Sequence, residues 1–156
     1  MDIRRARKED IGRLLDLLSQ ILEVHVELRP DLFVPNTTKY REEELLKKVE
    51  DDNNPIYVIE VDGVVRGYAF CQIRVPKTPH LLKRNKTFFV DDFCIDEKCR
   101  RGHIGKTLFE YIKQEAKRLG CDELALNCWE GNEAAIAFYE KMGLKTRSRV
   151  MECPID

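Results

Sequence analysis

Apolar residues recur along the first part of the chain at three- and four-residue steps. Ile11, Leu14, Leu15, Leu18, Ile21, Leu22 and Val26 share one face of a helix that opens at Asp10 and ends before Pro30. Ahead of it, residues 2–6 read as a short strand; after it, residues 30–38, with Pro30, Pro35 and Asn36, read as a loop. A shorter, more charged helix is predicted from Tyr40 to Val49, ending in the polar stretch Asp51 to Asn54. The pattern then changes. Ile56–Val61 and Val64–Val75 are rich in β-branched and aromatic residues, and Asp62-Gly63 between them signals a two-residue hairpin, since both turn positions favour positive φ. Residues 76–86, with Pro76, Pro79 and several bases, read as a loop. Thr87–Ile95 is a third strong strand, Leu124–Cys128 a fourth and Leu144–Met151 a last one. Between them, Ile104, Leu108, Ile112, Ala116 and Leu119 mark a helix stopped by Gly120, and Asn132 caps another that stops at Gly143. Helices inserted between strands predict a mixed α/β domain.

Composition narrows this picture. The 156 residues carry no repeat, low-complexity stretch or linker, so residues 1–156 are read as a single domain. With 43% apolar and 35% charged residues the chain can bury a core and stay soluble. Its apolar runs fall far short of the roughly 20 residues that span a bilayer. Asp2, Glu9, Asp10 and Asp16 are wrong for a cleavable signal, so neither secretion nor a membrane partner is expected. A formal charge of −1 argues against a general nucleic-acid partner, although Lys98, Arg100, Arg101 and Lys106 cluster. Cys71, Cys94, Cys99, Cys121, Cys128 and Cys153 show no Cys-x-x-Cys spacing. Neither a disulfide framework nor a metal site is expected, and a reducing cytoplasm is the simplest compartment.

The most informative segment runs from Asp92 to Leu108. A strand feeds a short basic loop containing Gly102 and Gly105, which enters an amphipathic helix. The first N–H groups of such a helix are unpaired and lie at the positive end of its dipole, so a phosphate or pyrophosphate suits them. A plain basic turn is the competing reading. Gly105-Lys106-Thr107 lacks the first glycine of the Gly-x-x-x-x-Gly-Lys-Ser/Thr phosphate loop, and no Gly-x-Gly-x-x-Gly fingerprint is present.

Arg100-Arg101-Gly102-His103-Ile104-Gly105 resembles the pyrophosphate loop Arg/Gln-x-x-Gly-x-Gly/Ala of the GNAT superfamily of acyl-CoA-dependent N-acyltransferases, with His103 in place of the first motif glycine. The stretch Asn132-Glu133-Ala134-Ala135-Ile136-Ala137-Phe138-Tyr139-Glu140-Lys141-Met142-Gly143-Leu144 is similar to the family's second motif, Asn-x-x-Ala-x-x-Phe-Tyr-x-x-x-Gly-Phe. The opening Ile3-Arg4-Arg5-Ala6 and the central hairpin also resemble the family, so the likeness covers nearly the whole chain.

The resemblance implies a mixed, mostly antiparallel central sheet with helices on both faces, whose strands at about 87–96 and 122–128 splay apart. It implies acetyl-CoA as acyl donor and no metal. Phe93, Cys94 and Ile95 would meet the pantetheine arm through backbone groups, and Arg100, Arg101, Gly102, His103, Ile104, Gly105 and Lys106 the pyrophosphate. Asn132, Ala135, Phe138 and Tyr139 would complete the cofactor side.

Acetyl transfer needs a proton taken from the amine, a stabilised oxyanion and a proton for the departing thiol, with no covalent nucleophile when both substrates are held together. By resemblance Tyr139 is the candidate acid. Asp91 is the preferred base and Asp92 the alternative; as neighbours on a strand they are expected on opposite faces. The acceptor is named only as a primary amine, small molecule or peptide. Glu27, Arg29, Asp31 and Phe33 in one substrate-reading segment and Lys77, His80, Lys83 and Arg84 in the other send conflicting charge signals. A homodimer is one assembly the resemblance allows. The alternative function is an acyl-CoA-binding sensor or interaction module without catalysis, a role that needs neither Tyr139 nor a strand carboxylate.

Overall fold

The computed structural model describes residues 1–155. Its strands are β1 (Asp2–Arg5), β2 (Ile56–Val61), β3 (Val64–Arg74), β4 (Thr87–Ile95) and β5 (Glu123–Leu126). They form one sheet in the order β1-β2-β3-β4-β5, every pair antiparallel except β4 with β5. Asp62 and Gly63 join β2 to β3 with φ of 52° and 76°, the positive values the hairpin reading requires.

The helices α1 (Ile11–Leu28), α2 (Glu42–Lys48), α3 (Ile104–Arg118) and α4 (Glu133–Lys141) cover both faces. On one face, Leu14, Leu17 and Leu18 of α1 and Leu45 of α2 pack on Ile56, Val58, Tyr68, Phe70 and Cys94. On the other, Leu108, Phe109, Ile112 and Ala116 of α3, with Phe138 and Tyr139 of α4, pack on Tyr57, Ile59, Ala69, Phe88 and Val90. Each fully buried leucine, isoleucine or phenylalanine contributes about 1.5–3 kcal/mol relative to exposure. The mixed sheet covered on two sides is as expected.

Gly67 leaves no room for a side chain between β3 and β4. A Cβ there would stand 2.5 Å from Ile95 Cδ1 and 2.8 Å from the Cys94 carbonyl oxygen, so β3 and β4 meet at this height only around a residue without a side chain.

Two expectations fail. Leu144–Met151 is not a strand: residues 144–155 run outside the sheet, with Val150 and Met151 almost wholly exposed. Lys145, Arg147 and Arg149 break the apolar alternation, and the segment is tethered by the ion pairs Arg147–Glu123 (2.5 Å) and Arg29–Glu152 (2.6 Å), not by a ladder. The fourth predicted strand is also shorter than read, since β5 ends at Leu126 and leaves Asn127 and Cys128 in the following loop.

Candidate active site

The early end of β5 opens the sheet. Thr87 to Val90 pair with Glu123 to Leu126, while β4 continues to Ile95 paired with β3 on one edge and open on the other. The Asp96 N–H bonds the Arg66 carbonyl, so by antiparallel alternation Cys94 turns its backbone groups toward β3, while Phe93 and Ile95 turn theirs into the opening. The Cys94 side chain lies under α1, its sulfur 3.5 Å from the Leu17 carbonyl, and burial pushes the thiol up to about 12. It is a packed thiol, not a thiolate.

Beyond Ile95 the chain makes one short turn, Glu97–Cys99, and reaches α3 through Arg100 to His103. Asp96, buried among charged groups, anchors the start of this loop. It accepts from Arg13 (2.5 Å), Arg66 (3.1 Å), Gln20 (3.4 Å) and the Lys98 N–H (3.3 Å), tying the loop to α1 and β3. His103, which stands where the motif has glycine, takes ordinary right-handed values (φ −82°, ψ −6°). The left-handed residue of the loop is Arg101, with φ of 69°. Such a conformation costs a side-chain-bearing residue about 1–2 kcal/mol. The Arg100 side chain folds back to donate to the Ile95 carbonyl at 3.1 Å, inside the opening. The first N–H groups of α3, at Ile104, Gly105 and Lys106, have no acceptor within the helix. A Cβ on Gly105 would touch Ile95 and Phe138 at 3.4 and 3.6 Å, which places this turn directly between β4 and α4.

The carboxylates depart from expectation. Phe70 pairs with Asp92 and Cys71 with Val90, so Asp91 is an extra residue, a β-bulge. The bulge breaks the alternation and brings both carboxylates to the α1/α2 side, instead of placing Asp91 and Asp92 on opposite faces. One ammonium reaches both: Lys39 Nζ lies 3.0 Å from Asp91 Oδ2 and 3.0 Å from Asp92 Oδ2. Tyr40 donates to Asp91 (2.9 Å) and Tyr68 to Asp92 (3.1 Å). Burial alone would push the Asp91 carboxyl up, but Lys39 and Tyr40 outweigh it and hold it below the usual carboxylate range. Burial opposes the Lys39 charge, yet the two carboxylates raise its affinity for the proton above that of a free lysine.

Across the opening, the Asn132 side chain caps α4 by accepting from the Ala135 N–H at 3.3 Å. Phe138 stacks on Phe93 with ring centres 5.8 Å apart, and Tyr139 packs against Phe109 at the same separation. Burial, with further contributions from Cys128, Asp92 and Cys94, raises the Tyr139 phenol well above its ordinary value, so it keeps its proton at neutral pH.

Sequence reasoning missed the wall facing Asp92. His25 stacks on Phe33 at 5.1 Å, and Phe33 meets Trp129 edge-on at 5.3 Å. Burial lowers the His25 pKa, partly opposed by Asp92. The 30–41 segment therefore borders the carboxylates. The 76–86 loop sits at the closed end of the β4–β5 pair, where the backbone of Asn85 and Lys86 bonds the Asp122 side chain. Asn127 and Glu130 are exposed on the loop after β5.

Comparison with known proteins places this geometry. The model of the family described as Acetyltransferase (GNAT) family matches residues 21–144. Glucosamine 6-phosphate N-acetyltransferase of Arabidopsis thaliana is 27% identical over 128 residues, covering 79% of this chain and 82% of that protein. A solved mutant of the BH1408 protein from Bacillus halodurans is 29% identical, with a TM-score of 0.92 over 99% of each chain. An aminoglycoside N-acetyltransferase, AAC(6')-Iy in complex with CoA, shares the fold at 19% identity, with a TM-score of 0.72 over 99% of each chain.

Proposed function

Because the chain belongs to the GNAT acetyltransferase family, we propose that it moves the acetyl group of acetyl-CoA onto a primary amine by direct attack, both substrates being held together at the β4–β5 opening. The observation that carries this reading is the bulge at Asp91, which sets two carboxylates beside an open strand edge whose other flank holds a protonated Tyr139.

Acetyl-CoA, when bound, supplies the reactive acyl thioester. The residues around the opening fit it. The N–H and C=O groups of Phe93 and Ile95 that face away from β3 would pair with the amides of an extended arm, as an added strand does, with Cys94 as the spacer between them. Arg100, Arg101 and Lys106 would supply charge to a pyrophosphate, and the backbone from Gly102 to Gly105 would supply N–H donors. Arg100 would exchange the Ile95 carbonyl for that anion. Asn132 and Ala135 fix the start of α4, so that Phe138 and Tyr139 line the same slot.

The acceptor amine must lose a proton before it attacks, and Asp91 and Asp92 would receive it, directly or through water. Tyr139 Oη would donate to the departing sulfur. No protein nucleophile is assigned, since Cys94 is buried and protonated. The names of the relatives, enzymes of glucosamine 6-phosphate and of aminoglycosides, support a small amine-bearing acceptor. The six unpaired cysteines are in keeping with a reducing cytoplasm.

Asp91→Asn and Asp92→Asn, singly and together, test the assignment. With both groups on one face, each single variant keeps one carboxylate. The double variant should lose about 100-fold or more in turnover at neutral pH, and less at high pH where more of the free amine is unprotonated. A double variant with wild-type turnover at pH 7 removes the base from this strand.

A further inference from the structure

We propose that Lys39 is a resident competitor for the acceptor's ammonium, and that it thereby sets how tightly, and for which class of amine, the enzyme binds its acceptor. The inference rests on the acetyltransferase reading above.

A lysine ammonium has three N–H donors and no acceptor. At Lys39 all three find oxygens of β4: Asp91 Oδ2 at 3.0 Å, Asp92 Oδ2 at 3.0 Å and the Asp91 carbonyl at 3.4 Å. An acceptor's primary ammonium carries the same charge and the same three donors. To hand its proton to these carboxylates it must come within hydrogen-bond reach of them, which is where Lys39 Nζ already sits. Both cations cannot occupy the seat.

The same geometry disfavours the obvious alternative, that Lys39 grips an anionic part of the acceptor. With three donors spent on the strand and two carboxylates around the charge, nothing remains to offer a phosphate or carboxylate. Withdrawal needs no movement of the core. The Lys39 side chain is 40% exposed, and residues 34–39 are all exposed, with only local side-chain bonds from Thr37 to Val34 and from Thr38 to Tyr40. The neighbouring Tyr40 stays anchored, its ring stacked on Phe70 at 5.5 Å and its hydroxyl on Asp91. Rotation about the flexible lysine stem is enough to clear the seat.

Two consequences follow for selectivity. A weakly held monoamine competes poorly with the tethered lysine, so wild-type protein favours acceptors with further binding groups beyond the amine. A quaternary ammonium, with charge but no N–H donors, cannot replace Lys39.

The test is equilibrium binding of n-butylammonium, which reproduces the lysine side chain, followed by heteronuclear NMR titration of wild type, Lys39→Met and Lys39→Arg. Met keeps the length of the stem without the charge; Arg keeps the charge. The expected result is at least fivefold tighter n-butylammonium binding to Lys39→Met, no gain for tetramethylammonium, and wild-type behaviour for Lys39→Arg. Equal or weaker n-butylammonium binding to Lys39→Met overturns the proposal; weaker binding would make Lys39 a contact of the acceptor instead. Because the titration involves no acetyl transfer, its outcome is separate from that of the functional reading, which fails if neither wild type nor Lys39→Met releases CoA thiol from acetyl-CoA with any amine.

Discussion

Replacing Asp96 by Asn isolates the anchor of the loop that leads into α3. The side chain keeps its size but loses the charge that faces two guanidinium groups, Arg13 at 2.5 Å and Arg66 at 3.1 Å. Removing one partner of a fully buried ion pair costs about 3–5 kcal/mol, because the other charge is left uncompensated. Asp96 itself is 2% exposed, but Arg13 and Arg66 retain 25% and 31% exposure, so water recovers part of their solvation. The expected loss is therefore about 2–3 kcal/mol, or about 4–12 °C in Tm for a chain of this size. Urea unfolding at pH 7 measures it directly. The pH dependence supplies a second check. Burial pushes the Asp96 carboxyl up, but the Lys98 N–H and the Arg66, Gln20 and Arg13 side chains bring it below its ordinary value. A group with a lowered folded pKa stabilises fully above its unfolded pKa of about 3.9 and loses that contribution as the pH falls through the folded value. The gap between wild type and Asp96→Asn should thus be widest near neutrality and close in acid. A loss below about 0.5 kcal/mol at pH 7, or a gap that widens on acidification, would rule out a charge-paired anchor at Asp96.

Tyr139→Phe keeps the ring among Phe93, Phe109 and Phe138 and deletes only the hydroxyl, so turnover should fall about 10- to 1000-fold while Tm and acetyl-CoA affinity hold. Wild-type turnover in that variant, with chemistry limiting the rate, would leave Tyr139 a packing residue. Gly67→Ala sets a methyl against the Cys94 carbonyl and Ile95, and chemical denaturation should report a loss of about 1–3 kcal/mol; an unchanged midpoint would mean that β3 and β4 separate freely there.

What the sequence shows depends on how local the cause is. The hairpin at Asp62-Gly63, the cap at Asn132 and the stops at Gly120 and Gly143 are fixed by residues within one turn, and all are found where the pattern puts them. The two segments that resemble the family's motifs are similarly local, and they set Gly105 close beside Ile95 and Phe138. The bulge is different. Nothing about Asp91-Asp92 announces that one is an extra residue, because that follows from how β4 registers against Phe70 and Cys71. Strand alternation accordingly assigns the two carboxylates to opposite faces, and Lys39, more than fifty residues earlier in sequence, stays unconnected to them. The segment after Gly143 fails for a related reason. Apolar residues suffice to suggest a strand, but a strand exists only where an edge receives it, and residues 144–150 bond no ladder. At the loop, the glycine at 102 invites the left-handed turn, yet Arg101 takes it.

Direct attack by an amine requires the acyl donor and the acceptor to be bound together at the same opening. Initial velocities of CoA thiol release, with acetyl-CoA and the best acceptor of a primary-amine panel varied against each other, test it most directly. Direct attack predicts intersecting reciprocal plots and no thiol burst without amine. Parallel plots, or a burst of about one equivalent of thiol in the absence of acceptor, would point to a covalent acyl-enzyme and contradict the account.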